Sequence, residues 1–584
     1  MCGIIGFIGD ENVTPIIVKG LRRMEYRGYD SAGLSIRTNE GLRVIKSVGK
    51  INDLANVEDL NAISGYTGIG HTRWATHGKV NLENAHPLSS CAGEMSVVHN
   101  GIISNFQTLK KELEKEGHTF RSSTDSEVII HLFEKYFKIG NDIKDAVLKT
   151  VNRLEGSFAF AIMLRDGENI VGARCGTPLI LGLGNNGSFL TSDILGFIEY
   201  TDKAIFLENK EIVVLGKHHF EISDFEGNLV AKEVTQVAWE FGTPTKEKYS
   251  HFTLKEILEQ PLALERVLSQ DQKPIDLFCK KLKTRAKVVI TGSGTSYHAG
   301  LYAKYVMRET AKISCDVVVS SEFKSQDVDH DTSVLVLSQS GETADALRAT
   351  QIAKDAGCQI LSIVNVVGSS LARESDISLP LNCGPEVGVA ATKSFTSQLA
   401  LIYIIASRIG IGDDSLITSI PQKVESILGE AERIKKLVNG YTEARDFYYI
   451  ARSIHIPIAL EGALKMKELS YVHAEGMAAG ELKHGPLALI TQGTPVVVIN
   501  PTDDSYQETL DNAVELKARG AKVIGISTVS HEVYDDFIPI PKVHPLLSPI
   551  IEVVPLQLIA YYAAVKMGQD PDYPRNLAKS VTVN

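Results

Sequence analysis

Nowhere in the 584 residues does an uninterrupted apolar run approach the roughly 18 positions that a membrane-spanning helix needs. The longest, 399–406, fits one side of a buried helix, so no membrane partner is expected. Basic residues at the start are missing too. Met1-Cys2-Gly-Ile-Ile-Gly6 has no charged region of the kind that opens a secretory signal. Cysteine is sparse and scattered: the seven residues at 2, 91, 175, 279, 315, 358 and 383 form no Cys-x-x-Cys pair. That argues against a disulfide framework and against a zinc site, and for a reducing, cytoplasmic location. Nor is there a basic excess. Sixty Lys and Arg against 71 Asp and Glu leave a net charge of −11, which disfavours nucleic acid as a partner. A small phosphorylated ligand remains open, because backbone N–H groups at helix N-termini can hold a phosphate whatever the overall charge.

What is present divides the chain in two textures. Up to about residue 240, short apolar or alternating runs at 4–8, 33–37, 43–48, 95–99, 157–164 and 212–215 read as strands between Gly, Asn and Asp turns. Helical patterns at 105–116 and 125–137 interrupt them, which is α+β patterning with antiparallel strands. The polar Phe241-Gly-Thr-Pro-Thr-Lys246 stretch reads as a linker, spanning 241–250. Beyond it strands and helices alternate, as in a parallel sheet covered by helices. This pattern recurs after about 162 residues: the strand ending at Ser338, its helix and the strand 360–364 parallel 496–500, the helix ending at Gly520 and 523–526. An internal duplication of a doubly wound α/β unit follows. Only the first copy carries a dense hydroxyl loop, Ser338-Gln-Ser-Gly-Glu-Thr343; the second has Asn500-Pro-Thr-Asp-Asp504.

Cys2 directly follows the initiator. Removal of Met1 would leave a thiol beside an α-amine of reference pKa about 8, able to act as its base. On position alone a buried structural cysteine is the commoner outcome. The company it keeps is specific, however. Cys2-Gly-Ile-Ile-Gly6, Arg27-Gly-Tyr-Asp-Ser-Ala-Gly33, His71-Thr-Arg-Trp-Ala-Thr-His77, Asn84-Ala-His-Pro87, His99-Asn-Gly101 and Thr124-Asp125 together resemble the glutaminase domain of the N-terminal-nucleophile amidotransferases. That resemblance implies an αββα fold over 1–240 and L-glutamine as a substrate. It implies Cys2 as nucleophile, with Asn100 and Gly101 as oxyanion donors. By the same resemblance Arg73 meets the glutamine carboxylate and Asp125 its ammonium, Thr76 and His77 complete the pocket, and Trp74 gates the ammonia exit. His71, His77 and His86 lie close in sequence, but their spacings match no zinc pattern. No metal and no cofactor is expected.

In the second half, Thr291-Gly-Ser-Gly-Thr-Ser296 sits between a strand and a helix, as does the hydroxyl loop. Two such loops on adjacent strand ends converge on one site in open α/β sheets. Neither fits the dinucleotide or nucleoside triphosphate patterns. With Glu386-Val-Gly-Val-Ala-Ala-Thr-Lys393, Glu461-Gly-Ala-Leu-Lys-Met-Lys-Glu468, 475–486 and the tail 574–583, they resemble the sugar isomerase (SIS) domains of amidotransferases that act on hexose phosphates. The resemblance implies SIS domains at 251–430 and 431–574, a catalytic tail at 575–584, and D-fructose 6-phosphate as the acceptor. Thr295, Ser296, Ser338, Gln339, Ser340, Thr343 and Val389 would surround the sugar phosphate. His484 would assist ring opening, Lys579 would form an imine at C2, and Glu468, aided by Lys465, would move a proton between C1 and C2. A homodimer is implied as well. Taken alone, Lys465 and Glu468 are an ordinary i,i+3 helical ion pair, and Lys579 sits on a tail whose Leu577, Val581 and Val583 are apolar enough to dock.

Ala391, Ala451-Arg-Ser453 and Asn584 depart from that family's usual residues without removing a catalytic group. Three rival readings exist. An amidotransferase acting on phosphoribosyl diphosphate shares the N-terminal half, and Asp503-Asp504-Ser505 faintly resembles its paired acids. A sugar-phosphate-binding regulator would not need Cys2, Glu468, His484 and Lys579 together. A deaminase would not need the glutamine pocket.

Overall fold

Alternation within one strand sets the architecture of the N-terminal half. In Gly3–Gly9, Ile4 and Ile8 face one side, and Ile5 and Phe7 the other; all four are buried. A strand buried on both faces must lie between two apolar layers. Ile4 and Ile8 pack with Val98, Ala159, Ala161 and Val213 from a second sheet. Ile5 and Phe7 pack instead with Ile17 and Leu21 of the helix Val13–Met24. That helix comes close because residue 70 has no side chain: a Cβ there would stand 2.5 Å from Ile17.

The computed structural model describes residues 2–237 and 245–582. They form two units, Met1–Pro244 with Ala578–Asn584, and Thr245–Leu577. The first holds an eight-stranded and a six-stranded sheet, each paired antiparallel. In the eight-stranded sheet Gly3–Gly9 lies between Gly187–Thr191 and Thr67–Arg73; in the six-stranded sheet Met95–Ile103 lies between Leu88–Ser89 and Gly156–Leu164. Helices Phe106–Lys115, Glu127–Gly140 and Ile143–Val151 cover the outer face of the second sheet through Leu109, Leu113, Val128, Phe133 and Val147. The order is helix, sheet, sheet, helix, the expected αββα arrangement. Every strand read from the sequence before residue 240 falls within a strand. His99-Asn-Gly101, a pairing that by itself favours a hairpin turn, runs inside Met95–Ile103.

The second unit contains two five-stranded parallel sheets of identical order. In the first, Lys287–Gly292 lies between Cys315–Val319 and Thr332–Ser338, followed by Gln359–Val364 and Ile377–Pro380. In the second, Asp446–Ala451 takes the corresponding place between His473–Ala478 and Pro495–Ile499, followed by Lys522–Ser527 and Asp536–Pro539. The duplication is thus complete at the level of topology. Helices Lys393–Ile409, Ile456–Ser470 and Ser548–Lys566 share one core with both sheets. The last is apolar enough by composition to cross a membrane, yet 94% of that window is buried inside the protein.

Of the expected linker, residues 241–244 lie outside the described residues, as do Val583 and Asn584. Lys246, inside the expected linker, pairs with Asp572 at 2.7 Å, and the second unit begins at Thr245. The tail divides at 577. Arg575 donates its backbone N–H to the Tyr471 hydroxyl at 2.7 Å, whereas Ala578 onward belongs to the first unit.

Candidate active sites

Cys2 stands at the mouth of the strand Gly3–Gly9, half-buried. Its Sγ accepts the Trp74 backbone N–H at 3.1 Å. Burial pushes the thiol above its ordinary pKa, with the Trp74 N–H and Arg73 pulling the other way. A thiol so placed needs a base. Asn100 sits beside it: its Nδ2 donates to the Cys2 carbonyl at 2.9 Å, and its Oδ1 lies 3.0 Å from His71 Nε2. His71 fixes which way that amide points. Burial lowers its pKa to about 3, so the ring is neutral. Nδ1 is buried without a partner while Nε2 meets two oxygens, Asn100 Oδ1 and the His99 carbonyl, so Nε2 carries the proton. The Asn100 NH₂ is therefore forced toward the Cys2 side, where an oxyanion would form. Gly101 follows at φ 119°, and a Cβ there would stand 2.0 Å from the Ser157 carbonyl. Only glycine serves at that position.

The glutamine-binding candidates are set by their neighbours. Asp125 is buried and accepts the Ile103 N–H at 2.7 Å through Oδ2. Arg73, also buried, donates to the His77 carbonyl at 2.5 Å. Burial lowers its pKa, while Cys2, Asp30 and Asp125 pull it back up. Asp30 accepts the Ala75 N–H at 2.8 Å and so holds the turn that presents Arg73 and Trp74. Trp74 packs edge-on against Tyr29 at 5.6 Å. His77 meets Phe106 edge-on at 5.8 Å, and Thr76 is exposed. His71 and Asp30 hold candidate residues in place; sequence reasoning left both without roles, although both lie inside motifs it singled out.

In the second unit, Thr295 and Ser296 open the helix Thr295–Val306 directly after Lys287–Gly292. Ser338 ends Thr332–Ser338, and Thr343 caps Ala344–Asp355. These two strands are neighbours at the point where the strand order reverses, the place where open α/β sheets bind ligands. The hydroxyl loop is tightly turned: Ser338 Oγ accepts the Gly341 N–H at 3.0 Å, and Ser340 Oγ the Glu342 N–H at 3.2 Å. Gly341 has φ 64°, and a Cβ would stand 2.1 Å from Ser369 Oγ. Ser296 Oγ accepts from Gln398 at 3.1 Å. Gln339 accepts the Asn365 N–H through its backbone carbonyl at 3.0 Å. Val389 is buried in a loop held by Glu386, whose carboxylate accepts from the Thr392 and Ser394 N–H groups at 2.9 and 3.1 Å.

Lys465 is the hub of the cluster beside it. Fully buried on Ile456–Ser470, its Nζ donates to Glu468 at 2.6 Å, lies 3.3 Å from Glu461, and donates to Thr295 at 3.0 Å. Burial by itself would lower the Lys465 pKa, but Glu461 and Glu468 raise it above the usual lysine value. It stays a cation. Glu461, fully buried, also accepts from Thr295 at 3.0 Å and meets His298 at 2.7 Å. Burial alone would raise the Glu461 pKa; Lys465 and His298 bring it below the ordinary value. Glu468, at 22% side-chain exposure, is the carboxylate of this pair that solvent or substrate can reach. Glu461 and His298 were not assigned from sequence, though Glu461 stands four residues before Lys465 on the same helix face.

The structure does not bring every candidate together. His484 ends the turn Ala479–His484 in an exposed position, with no contact to the Lys465 cluster among the described residues. Lys579 belongs to the segment counted with the first unit. The tail's apolar residues do not anchor it as expected: Leu577 is only half-buried and Val581 is 54% exposed, while Ser580 and Thr582 are buried. Alternation along an extended chain turns those two inward and Val581 out.

The second copy of the α/β unit has put its corresponding loop to structural use. Asp503 sits 2.7 Å from His455 Nε2, and Glu552 sits 2.9 Å from His455 Nδ1. Burial would lower the His455 pKa, but Glu552 and Asp503 raise it to about 9. Asp503 is therefore committed to an internal ion pair, and the faint likeness to a phosphoribosyl diphosphate loop loses its ground. A raised histidine pKa stabilises the fold fully below pH 6.5, and that contribution disappears as pH rises through about 9. The thermal midpoint should fall over this window, with that part of the slope missing in His455→Gln, itself destabilised at pH 6.5. Differential scanning calorimetry across the range checks it.

Family models match both halves: a glutamine amidotransferase domain at residues 58–235, and SIS domains at 281–408 and 440–567. The chain is 45% identical over 601 residues to the glutamine–fructose-6-phosphate aminotransferase (isomerizing) of Thermococcus kodakarensis, and 46% identical over 594 residues to that of Aquifex aeolicus; each match covers all of both chains. Among solved structures, the C-terminal domain of glucosamine-fructose-6-phosphate aminotransferase from Francisella tularensis is 34% identical with a TM-score of 0.52, covering 57% of this chain and 100% of that one. A glucosamine-6-phosphate deaminase from Thermotoga maritima matches at 25% identity and a TM-score of 0.50, also over 57% of this chain.

Proposed function

The chain belongs to the glutamine–fructose-6-phosphate aminotransferase (isomerizing) family, and it converts L-glutamine and D-fructose 6-phosphate to L-glutamate and D-glucosamine 6-phosphate; from that premise we propose how its residues divide the work. The observation that carries the reading is the pairing, in one chain, of Cys2 beside an oriented Asn100 with a buried Lys465 holding a reachable Glu468.

Once Met1 is removed, the Cys2 α-amine accepts the thiol proton and the thiolate attacks the glutamine carboxamide carbon. Asn100 Nδ2 and the Gly101 N–H stabilise the oxyanion, each worth roughly 3 kcal/mol. Collapse expels ammonia, and water then releases glutamate from the thioester. Arg73 and Asp125 hold the two charged ends of glutamine, Thr76 and His77 line its pocket, and Trp74 controls the exit of ammonia. In the SIS half, Ser296, Ser338, Gln339, Ser340 and Thr343 bind the phosphate and hydroxyls, with Thr295 and Val389 beside them. His484 assists opening of the sugar ring. Lys579 forms the imine at C2, and ammonia replaces it there. Glu468 takes a proton from C1 and returns one to C2. Lys465, held cationic by Glu461, holds the Glu468 carboxyl in place for both transfers.

The domain limits proposed from the sequence, 1–240, 251–430 and 431–574 with a tail from 575, are retained as this scheme's functional boundaries. A homodimer in the cytoplasm completes the proposal. Glutamate and amino sugar are expected to appear in equal amounts when both substrates are supplied. Without fructose 6-phosphate, glutamate release should fall severalfold. Measuring both products together tests the coupling; amino sugar formed without glutamine would overturn it.

A further inference from the structure

Outside both sites, four metal-ligating side chains from three separate elements converge on one point. Cys91 lies in the turn between Leu88–Ser89 and Met95–Ile103. His118 follows the helix Phe106–Lys115, and His131 and Glu134 lie on Glu127–Gly140. One ligand atom from each, Cys91 Sγ, His118 Nδ1, His131 Nδ1 and Glu134 Oε2, falls within 4.8 Å of all the others. We propose that these four residues form a structural zinc site of the glutaminase half.

The spacing suits a metal. Cys91 Sγ is 3.5 Å from each histidine Nδ1. Glu134 Oε2 is 3.4 Å from His118 Nδ1 and 3.6 Å from His131 Nδ1. A charge-assisted N–H to carboxylate hydrogen bond closes to about 2.7–2.9 Å; the two Glu134–histidine pairs are longer than that. Ligands about 2.0–2.3 Å from a tetrahedral zinc lie roughly 3.3–3.7 Å from one another. The four measured edges fall in that interval. They match the edges of a ligand set around a shared ion at the centre.

The surroundings fit a metal as well. Glu127 Oε1 lies 3.4 Å from the other nitrogen of His131, on the side from which a carboxylate orients a metal-bound imidazole. Glu127 is itself held by the Arg121 and Ser122 N–H groups at 2.8 and 2.7 Å. The Thr119 N–H points at Cys91 Sγ at 3.5 Å, and Lys138 takes the second Glu134 oxygen at 2.9 Å. One thiolate and one carboxylate neutralise the charge of Zn²⁺, and Lys138 balances Glu127. A thiolate, two imidazoles and a carboxylate in tetrahedral array select zinc over magnesium or calcium. With all four positions filled by protein the ion has no open site, so its role is structural. It would fasten the helix Glu127–Gly140 to the turn at 91 and the segment at 118. Asp125 and Ser126 precede that helix directly, and Ser126 bonds His99 at 2.8 Å. The ion therefore steadies one wall of the glutamine pocket. This departs from the expectation of no metal, which weighed only His71, His77 and His86 and the lack of paired cysteines.

The test is metal content of the full chain, purified without a metal-affinity tag and equilibrated with zinc, then gel-filtered. One zinc per chain is expected in the wild type, and under about 0.1 in Cys91→Ser, because a structural site needs its full ligand set. Glu127→Gln should retain the ion with affinity lowered about 10- to 100-fold in competition with a chromophoric chelator. Cobalt(II) in the wild type should give the strong visible bands of a tetrahedral site and a thiolate charge-transfer band in the near ultraviolet. That readout stands even if Cys91→Ser fails to fold. Wild type holding no zinc after equilibration, iron or nickel in place of zinc, or folded Cys91→Ser binding zinc as wild type does would each overturn the proposal.

Discussion

Cys2→Ala is expected to abolish glutamine hydrolysis, by roughly 10⁴-fold or more, while leaving fructose 6-phosphate binding and its isomerisation to glucose 6-phosphate in place. Loss of a covalent nucleophile removes the pathway itself, whereas loss of one oxyanion donor costs about 10²–10³-fold; Asn100→Ala should therefore retain measurable glutaminase where Cys2→Ala has none. The sugar chemistry should survive because none of its candidate groups is shared. Lys465, Glu468 and Glu461 make their contacts with one another, with Thr295 and with His298, all within the second unit. The same mechanism requires a free α-amine on residue 2, so intact mass of active enzyme should begin at Cys2. Full activity with Met1 retained, or loss of sugar binding in folded Cys2→Ala, would break the argument.

Lys579→Ala, or removal of 575–584, should eliminate amino-sugar formation altogether while glutamine hydrolysis persists. An imine needs a primary amine that can lose its proton, and Lys465 cannot supply one: it is fully buried, carries three polar partners and is held charged by two carboxylates. Lys579 stands two residues beyond Leu577, the last residue of the second unit. Borohydride reduction with fructose 6-phosphate present should attach the sugar to Lys579, read by peptide mass. Label on Lys465 or Lys467, or full-rate product from the shortened chain, would exclude the assignment. Fructose 6-phosphate should also stimulate glutaminase in the wild type and do so less in the shortened chain, since a site that closes over the sugar keeps ammonia from water.

The main lines of the fold were legible because they rest on local pattern. Period-two alternation in 4–8 and strand–helix alternation after residue 280 each reflect which faces of an element must be buried, and neighbours in sequence reveal that directly. The duplication was readable for the same reason. The contiguous motifs carried most candidate residues: Cys2, Arg73, Asn100 and the two loops at 291–296 and 338–343 are short-range constellations.

What only the tertiary structure decided is how residues distant along the chain meet. His71 became the group that orients Asn100 because antiparallel sheets bring positions 71 and 100 within hydrogen-bond reach. Glu461 became a partner of Thr295 and His298, 166 and 163 residues earlier, because the helix Ile456–Ser470 packs against the helix Thr295–Val306. Asp503 turned from a possible ligand group into an ion-pair partner of His455. The Cys91, His118, His131 and Glu134 set, drawn from a turn, a loop and a helix, has no spacing that a short motif would expose. Sequence by itself determined which faces are apolar and which short loops carry chemistry, since both follow from neighbours a few residues apart. The partners of each buried charge were decided only when folding brought remote segments together, because a charge taken out of water must find its counterpart wherever the packing puts one.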